Sequence, residues 1–489
     1  MAIITQDYYA EQCRSKSILQ FSKEFKLASA LEQANVRKAK GVGVSTVFLQ
    51  LLSVSFSGKP LNRLLQDKGL EGKKDVFYRF MNSTSANWYN FIRILSFWVL
   101  TAILKISTSE QLPVMILDDT IHKRNHSKKV ELLTRVRDHN DGRYYRGFRC
   151  LTLGFHDGSN FLPIDFRLLS SKNEKIRING IRPDLDKRSN GYKNRQYATG
   201  DSYQAAFHMI EKHRIVGNLE KRPLRLAMPR QRRLFARATL VHRSGGHTFF
   251  KRPYYTNARH VLFDSWFAEP VMFKTLRKMG LHGIGMLKAK KGSLYRFKGK
   301  LYNLETLYAQ VKRLIHREHG FVTVGAELRD GTPFSITFVR DNHGKRDWLA
   351  IGTTDISLSA QLVIRLYSRR WNIEVFFKTV KSFLGFAKEC QSRSFDAIVC
   401  SVAVVFTRYI MLVWQNVGLP AKHTEGQLFF KLFDEMQECS FDDALFIVIR
   451  VLKKAIVHFD NSLFITATIF FARLPLCFTP LLNIFSCET

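Results

Sequence analysis

The sequence predicts an α/β fold, a sheet-based core with a β-rich insertion, preceded and followed by helical regions. Three observations predict it. Residues 1–110 carry apolar side chains at three-to-four spacing, the pattern of amphipathic helices. Short β-branched runs bounded by turn residues begin after Leu112-Pro113. Alternating residues over 290–354 then give way to Ser359–Leu384, a stretch without Gly or Pro.

In chain order, Ser45–Gln66 reads as helical with Ser45 as its cap, followed by Asp75–Asn82 and by Asn87–Ile106, which is amphipathic around Trp88, Phe91, Ile94, Leu95 and Trp98. Breaks fall at Gly58-Lys59-Pro60 and Gly69–Lys74. Short helices with basic loops suit a DNA-binding domain over 1–110, and an ordinary helical domain fits the pattern equally well. Val114–Leu117 reads as a buried strand with Asp118-Asp119-Thr120 at its C-terminal end. Arg149–Phe155 and Phe161–Leu168 flank an Asp-Gly turn and predict a hairpin. His260–Phe263 predicts a further strand ending in Asp264, then a helix at Pro270–Met279 and a strand at Gly283–Leu287. Residues 111–289 and 355–400 thus form the core, 290–354 the β-rich insertion, and 401–489 a helical C-terminal region with dimerisation as its candidate role. Residues 205–260 resist the same reading: they carry 13 Lys and Arg against two acids, with little periodicity.

The 489 residues include 76 Lys+Arg and 41 Asp+Glu, a formal charge of +35, and 45% are hydrophobic. That balance excludes a disordered chain and points to a polyanion, nucleic acid first, with a generally adhesive basic protein as the bland alternative. The seven cysteines are scattered without CxxC spacing, which argues against a disulfide framework or structural zinc and for buried thiols in a reducing cytosol. The N-terminus lacks the basic and apolar regions of a signal peptide. The apolar runs Ala397–Phe406 and Leu463–Ala472 are interrupted by Arg408 and Arg473 short of the ~20 residues of a membrane span, so no membrane partner is expected.

Three carboxylates stand out by context. Asp119 and Asp264 each follow a strand-like run, and Glu374 lies inside the predicted helix. Acids at the ends of neighbouring strands converge on one sheet edge, where a packed helix can add a third. Such a cluster repels itself unless hard cations bind, and Mg²⁺ or Mn²⁺, two ions, would suit phosphodiester displacement. A lone Asp after a strand is otherwise a turn or helix cap. Tyr367, Arg370, Glu374 and Lys381 fall on one helical face roughly 60° wide, with apolar residues elsewhere. The stripe reads either as a solvated face of i,i+4 pairs or as phosphate contacts around a metal ligand.

Tyr367-x2-Arg370-x3-Glu374-x6-Lys381 resembles the YREK signature of the DDE transposases of bacterial insertion sequences, the IS-four-like group. Leu117-Asp118-Asp119-Thr120 and Val261-Leu262-Phe263-Asp264-Ser265-Trp266-Phe267 resemble the segments that hold that family's two catalytic aspartates. The resemblance runs in order from about Lys74 to Lys381. It implies a ribonuclease-H-like core in which Asp119, Asp264 and Glu374 bind the metals, with Asp118 as the rival of Asp119. It makes Tyr367, Arg370 and Lys381 contacts to phosphate at the transposon end. Trp348 resembles an aromatic on which such enzymes stack a flipped base, and a core Trp is the equal alternative. The implied activity is metal-dependent endonucleolytic cleavage at terminal inverted repeats and strand transfer into target DNA, a DNA recombination reaction. It would be carried out by a homodimer in synapsis, in a cytoplasmic, nucleoid-associated setting. Two alternatives remain, a defective DNA-binding derivative and a nuclease of the same core without strand transfer. The resemblance also leads one to expect a clear helix before the second aspartate strand, which 205–260 does not display, and the apolar stretch from about Asp460 departs from it too.

Overall fold

The computed structural model describes residues 15–436 except 39, 68–69, 107–110, 139–140, 214–239, 245–246, 251–257, 291, 315–319, 341–347, 418 and 420–422. The apolar run Leu463–Ala472 and most of the basic stretch before His260 lie outside the described residues.

Among the described residues, six helices lie ahead of the sheet: α1 Lys16–Glu24, α2 Leu27–Gln33, α3 Val44–Ser53, α4 Leu61–Gln66, α5 Lys74–Met81 and α6 Trp88–Ile106. Gly43, not Ser45, is the N-cap residue of α3, and Ser45 lies in its first turn. The predicted Ser45–Gln66 helix divides at the expected Gly58-Lys59-Pro60 break, with Val54–Phe56 tightening into a 3₁₀ turn. Trp88 anchors the group, stacked 6.0 Å from Phe48 and edge-on to Phe80 and Phe91.

The core is one large mixed sheet. Its strands are β1 Val114–Lys123, β2 Thr134–Arg137, β3 Tyr144–His156, β4 Phe161–Leu169, β7 His260–Phe263, β8 His282–Met286, β9 Tyr295–Phe297, β10 Lys300–Tyr302, β11 Phe321–Leu328, β12 Pro333–Arg340 and β13 Trp348–Thr353, while β5 Leu240–Ser244 and β6 His247–Phe250 form a separate pair. The order is β10-β9-β11-β12-β13-β8-β7-β1-β3-β2, with β4 also on β3. The strands of 290–354 therefore extend the core sheet, and the segment also contains a helix, α10 Leu304–Val311. β1 is longer than the apolar run that signalled it, because its polar end continues to Lys123 in antiparallel pairing with β3. The β3–β4 turn is closed by Asp157, whose Oδ1 accepts from the Ser159 and Asn160 amides at 2.7 and 2.6 Å, with Gly158 at φ +112°.

Helices cover both faces. α8 Ser202–His213 and α9 Pro270–Lys278 lie on one, where Phe273 meets Phe263 and Phe334. α8 supplies a helix ahead of β7 that the sequence pattern did not display, and it buries Ala206, Phe207, Met209 and Ile210. The other face carries α6, α11 Ala360–Ser368, α12 Trp371–Ser382 and α13 Phe395–Asn416. There Phe376 packs among Phe161, Phe406 and Tyr409. α6 and α13 are each long and apolar enough to cross a membrane, but core helices pass the same test, and most of α13 is buried in the fold. Arg408, the residue that breaks its apolar run, is fully buried and donates to the Leu51, Leu52 and Leu384 carbonyls and to Glu389. A further helix follows at 425–436. Cys150, Cys390 and Cys400 are buried free thiols.

Two buried groups hold the helices to the sheet. Arg195, in α7 Asn190–Ala198, is fully buried and chelates Glu131 at 2.6 and 2.7 Å and Asp396 at 2.9 and 2.8 Å, while also donating to the Gly191 carbonyl at 2.8 Å. His122 on β1 is wedged between Phe148 and Phe386, and among the described residues neither ring nitrogen has a hydrogen-bond partner. Burial, reinforced by Arg124, pushes its pKa down to about 3. An unfolded histidine titrates near 6.5, so the folded state resists protonation as pH falls from about 6.5 to about 3 and loses about 1.4 kcal/mol per unit. His122→Phe, which keeps the ring contacts, is expected to be more stable than wild type, with the difference growing as pH falls. Denaturant unfolding at pH 7, 5 and 4 measures it, and a pH-independent difference would contradict the assignment.

Candidate active site

β1 and β7 run parallel, with Val114 opposite His260 and Leu117 opposite Phe263. The next residues on the two strands are Asp118 and Asp264, so these carboxylates leave the sheet side by side at the C-terminal end of the parallel pairing. Alternation sends Asp118 and Asp119 to opposite faces. Asp118 lies on the face covered by α12, whereas Asp119 lies on the other and accepts from Arg149 Nη1 at 2.8 Å.

The predicted long helix over Ser359–Leu384 is two helices. Between α11 and α12, Arg369 and Arg370 hydrogen-bond three residues back, to Leu366 at 3.1 Å and Tyr367 at 2.9 Å. This 3₁₀ joint lets the buried Arg369 reach the Leu112 carbonyl at 2.5 Å and Gln111 at 2.6 Å, just before β1. The polar stripe survives the joint because the tighter turn keeps Tyr367 under Arg370, whose guanidinium lies 5.9 Å from the ring. Arg370 then bridges two acids: Nη1 is 3.3 Å from Asp118 Oδ2, and Nη2 pairs with Glu374 one turn on. Glu374 is in the first turn of α12 and about one-third exposed.

Asp264 Oδ1 accepts from the Trp266 and Phe267 amides at 3.0 and 3.3 Å, which closes the turn after β7. Asp118 has its pKa raised well above the usual carboxylate range, first by burial and then by the charges of Asp264 and Asp119, against the pull of Arg370. Tyr367 is pushed up to about 12, chiefly by burial, with Arg370 lowering it and Asp264 raising it. Lys381 is exposed, yet partial desolvation and the nearby Lys123 hold its ammonium below the usual value, while Asp138, Cys150 and Asp118 act the other way.

Asp118, Asp264, Glu374, Tyr367, Arg370 and Lys381 thus share one face. Asp119 is separated from them by the thickness of the sheet. Trp348 is 8% exposed, stacked 4.9 Å from Tyr308 and edge-on to Phe338, so its ring belongs to the packing of β12, β13 and α10. Trp266, two residues after Asp264, is 42% exposed, and Trp371, next to Arg370 in the chain, is 62% exposed. Cations flank Trp266, Lys288 at 5.5 Å and Arg149 at 5.9 Å from its ring. A signal for Asp118 was present in the chain: like Asp264, it is the first residue after its apolar run.

Among the described residues no three His, Cys, Asp or Glu side chains converge closely enough to hold a metal as they stand. The reason is local, since Arg370 occupies the space between Asp118 and Glu374. The donor chemistry still suits a hard divalent ion: two adjacent carboxylates, one with its charge disfavoured by burial and by its neighbours, face a third on a helix held off by a cation.

Residues 109–411 match a family model described as the transposase DDE domain. No curated protein matches the chain.

Proposed function

The chain belongs to the transposase DDE-domain family, and from that premise we propose that it cleaves DNA at the ends of a mobile element and joins the freed 3′ end to target DNA. In this reading the core is ribonuclease-H-like, and the Tyr367-to-Lys381 spacing puts the chain in the IS-four-like group. The acids are Asp118, Asp264 and Glu374, with Asp118 taking the role that the residue order gave to Asp119. The observation that carries the reading is the parallel β1–β7 register, which sets Asp118 beside Asp264 under the helix of Glu374.

Mg²⁺ or Mn²⁺ held by these three carboxylates would supply the charge that activates water or a 3′-OH and stabilises the leaving oxygen. The chain's own groups orient the strand. Arg370 exchanges its acids for a phosphate when DNA enters, since a guanidinium binds phosphate as readily as carboxylate. Lys381, eleven residues on, holds the next stretch of backbone, and Tyr367 buttresses Arg370 from beneath. The helical residues 16–106 and a second copy of the chain would serve end recognition and synapsis, in a cytoplasmic, nucleoid-bound setting.

A duplex carrying the inverted repeat that flanks the gene is the test substrate. Nicking is expected with Mg²⁺ or Mn²⁺ and none after chelation, followed by joining of a pre-cleaved end to plasmid DNA. Nicking without joining would favour a nuclease. Binding without nicking at any divalent concentration would favour a non-catalytic DNA-binding protein, the reading supported by the Arg370 bridge.

A further inference from the structure

The β2–β3 ribbon carries a surface that the proposed chemistry leaves unused. Arg135 on β2 stands directly opposite Arg146 on β3, and Arg137 opposite Tyr144. Thr134 and Val136 are buried, while Arg135, Arg137, Arg146 and Tyr144 are exposed, Tyr144 at 68%. Opposed residues share a face, so the four form one patch, and like charges directly across a ladder weaken it. Among the described residues, the side chain of Arg146 donates to a neutral group, the Ser127 carbonyl, at 3.4 Å. The acids of the hairpin are engaged elsewhere: Asp138 with Lys123 at 3.3 Å, and Asp141 with Tyr145, whose side chain alternates to the other face. Two opposed, exposed arginines beside an exposed tyrosine are an arrangement that an anion stabilises.

The patch also points toward the carboxylates. Asp118 pairs with Thr152 of β3, and steps of two from Thr152 lead through Cys150 and Phe148 to Arg146 and Tyr144, all on the Asp118 face. Arg146 is six residues from Thr152, about 20 Å at the rise of a strand. That distance matches roughly six phosphates along one strand of duplex. We propose that this ribbon face is a docking surface for the phosphate backbone of duplex DNA, gripping the duplex about six phosphates from the bond to be cut. The proposal rests on the reading of the protein as a DNA-cutting enzyme.

The full-length protein titrated with a fluorescent 30-base-pair duplex of random sequence, over a series of KCl concentrations, tests it. Wild type is expected to bind with an affinity that falls steeply with salt. Arg135→Ala/Arg146→Ala removes two phosphate contacts, so its log-log salt slope should shrink by about 2 and its affinity at about 0.1 M salt should fall roughly 10- to 100-fold. Arg135→Lys/Arg146→Lys should keep most of the binding. The Ala variant should melt at or above the wild-type temperature, since it removes a like-charge pair, and Arg135→Gln alone should show half the slope change. Unchanged affinity and slope beside normal wild-type binding would overturn the ribbon and leave the enzymatic reading intact. A lowered melting temperature with lost binding would assign the arginines a structural role and also overturn it. Absence of binding by wild type at every salt concentration would remove the DNA reading and the ribbon together.

Discussion

Asp118→Ala is expected to slow metal-dependent nicking of a duplex end by at least about a thousandfold, because a lost metal ligand forfeits several kcal/mol of transition-state stabilisation. Asp119→Ala, which removes an acid paired with the half-buried Arg149 on the far side of the sheet, is expected to stay within about tenfold of wild type. Single-turnover nicking at saturating Mn²⁺ compares the two, and the reverse ranking would return the role to Asp119. Stability should move against activity. Burial and neighbouring acids raise the pKa of Asp118 in the folded state, so ionising it costs the fold. Its contribution is favourable at low pH, where the carboxyl is protonated, and is lost as pH rises through the raised pKa. Asp118→Asn should therefore melt higher than wild type at pH 7 without divalent ions, and the gap should close near pH 3. An Asn variant that melts lower at pH 7 would show that the pair with Arg370 outweighs the burial.

Arg195→Ala should be among the most destabilising single substitutions in the chain, at about 3–5 kcal/mol, since it strands Glu131 and Asp396 inside the protein without the guanidinium that pairs with both. Arg195→Lys should lose nearly as much, because an ammonium cannot reproduce two bidentate pairs and a carbonyl bond at once. Denaturant midpoints of purified variants measure this, and a midpoint of Arg195→Ala equal to wild type would show the clamp to be dispensable. The loss should reach the site as well. Asp396 lies in the first turn of α13, and Arg124 at the end of β1 donates to the Cys390 and Ser392 carbonyls just before it. Loosening this corner frees the segment that ties α12 to β1.

Much of this was readable from residue order. The runs before Asp118 and Asp264, the hairpin at Asp157-Gly158 and α6 were visible because local patterning and tertiary burial agree there. Three features were not. The sides taken by Asp118 and Asp119 depend on the register of β1 against β7, a contact between segments far apart in sequence. The joint at Arg369–Arg370 breaks no local helix rule, as neither Gly nor Pro marks it; it accompanies the reach of Arg369 to Leu112 and Gln111. The burial of Trp348 follows from Tyr308 and Phe338, which lie on other elements. The face shared by Tyr367, Arg370 and Glu374 was legible because i,i+3 and i,i+4 neighbours stay together through a single 3₁₀ turn.

The parallel pairing of β1 with β7 has a consequence for the order in which the protein is made. A parallel pair cannot close through a short turn, and here a long intervening segment must emerge before Asp118 meets Asp264, with α12 later still. During synthesis, at about 5–20 residues per second, the N-terminal helices and the β1–β3–β4 meander can form from local contacts while the acidic trio remains apart. The corner at Asp396 is locked only after α12 has been made. On the proposed reading, a nascent chain therefore carries basic surface for many seconds before the acids that would cut DNA have met.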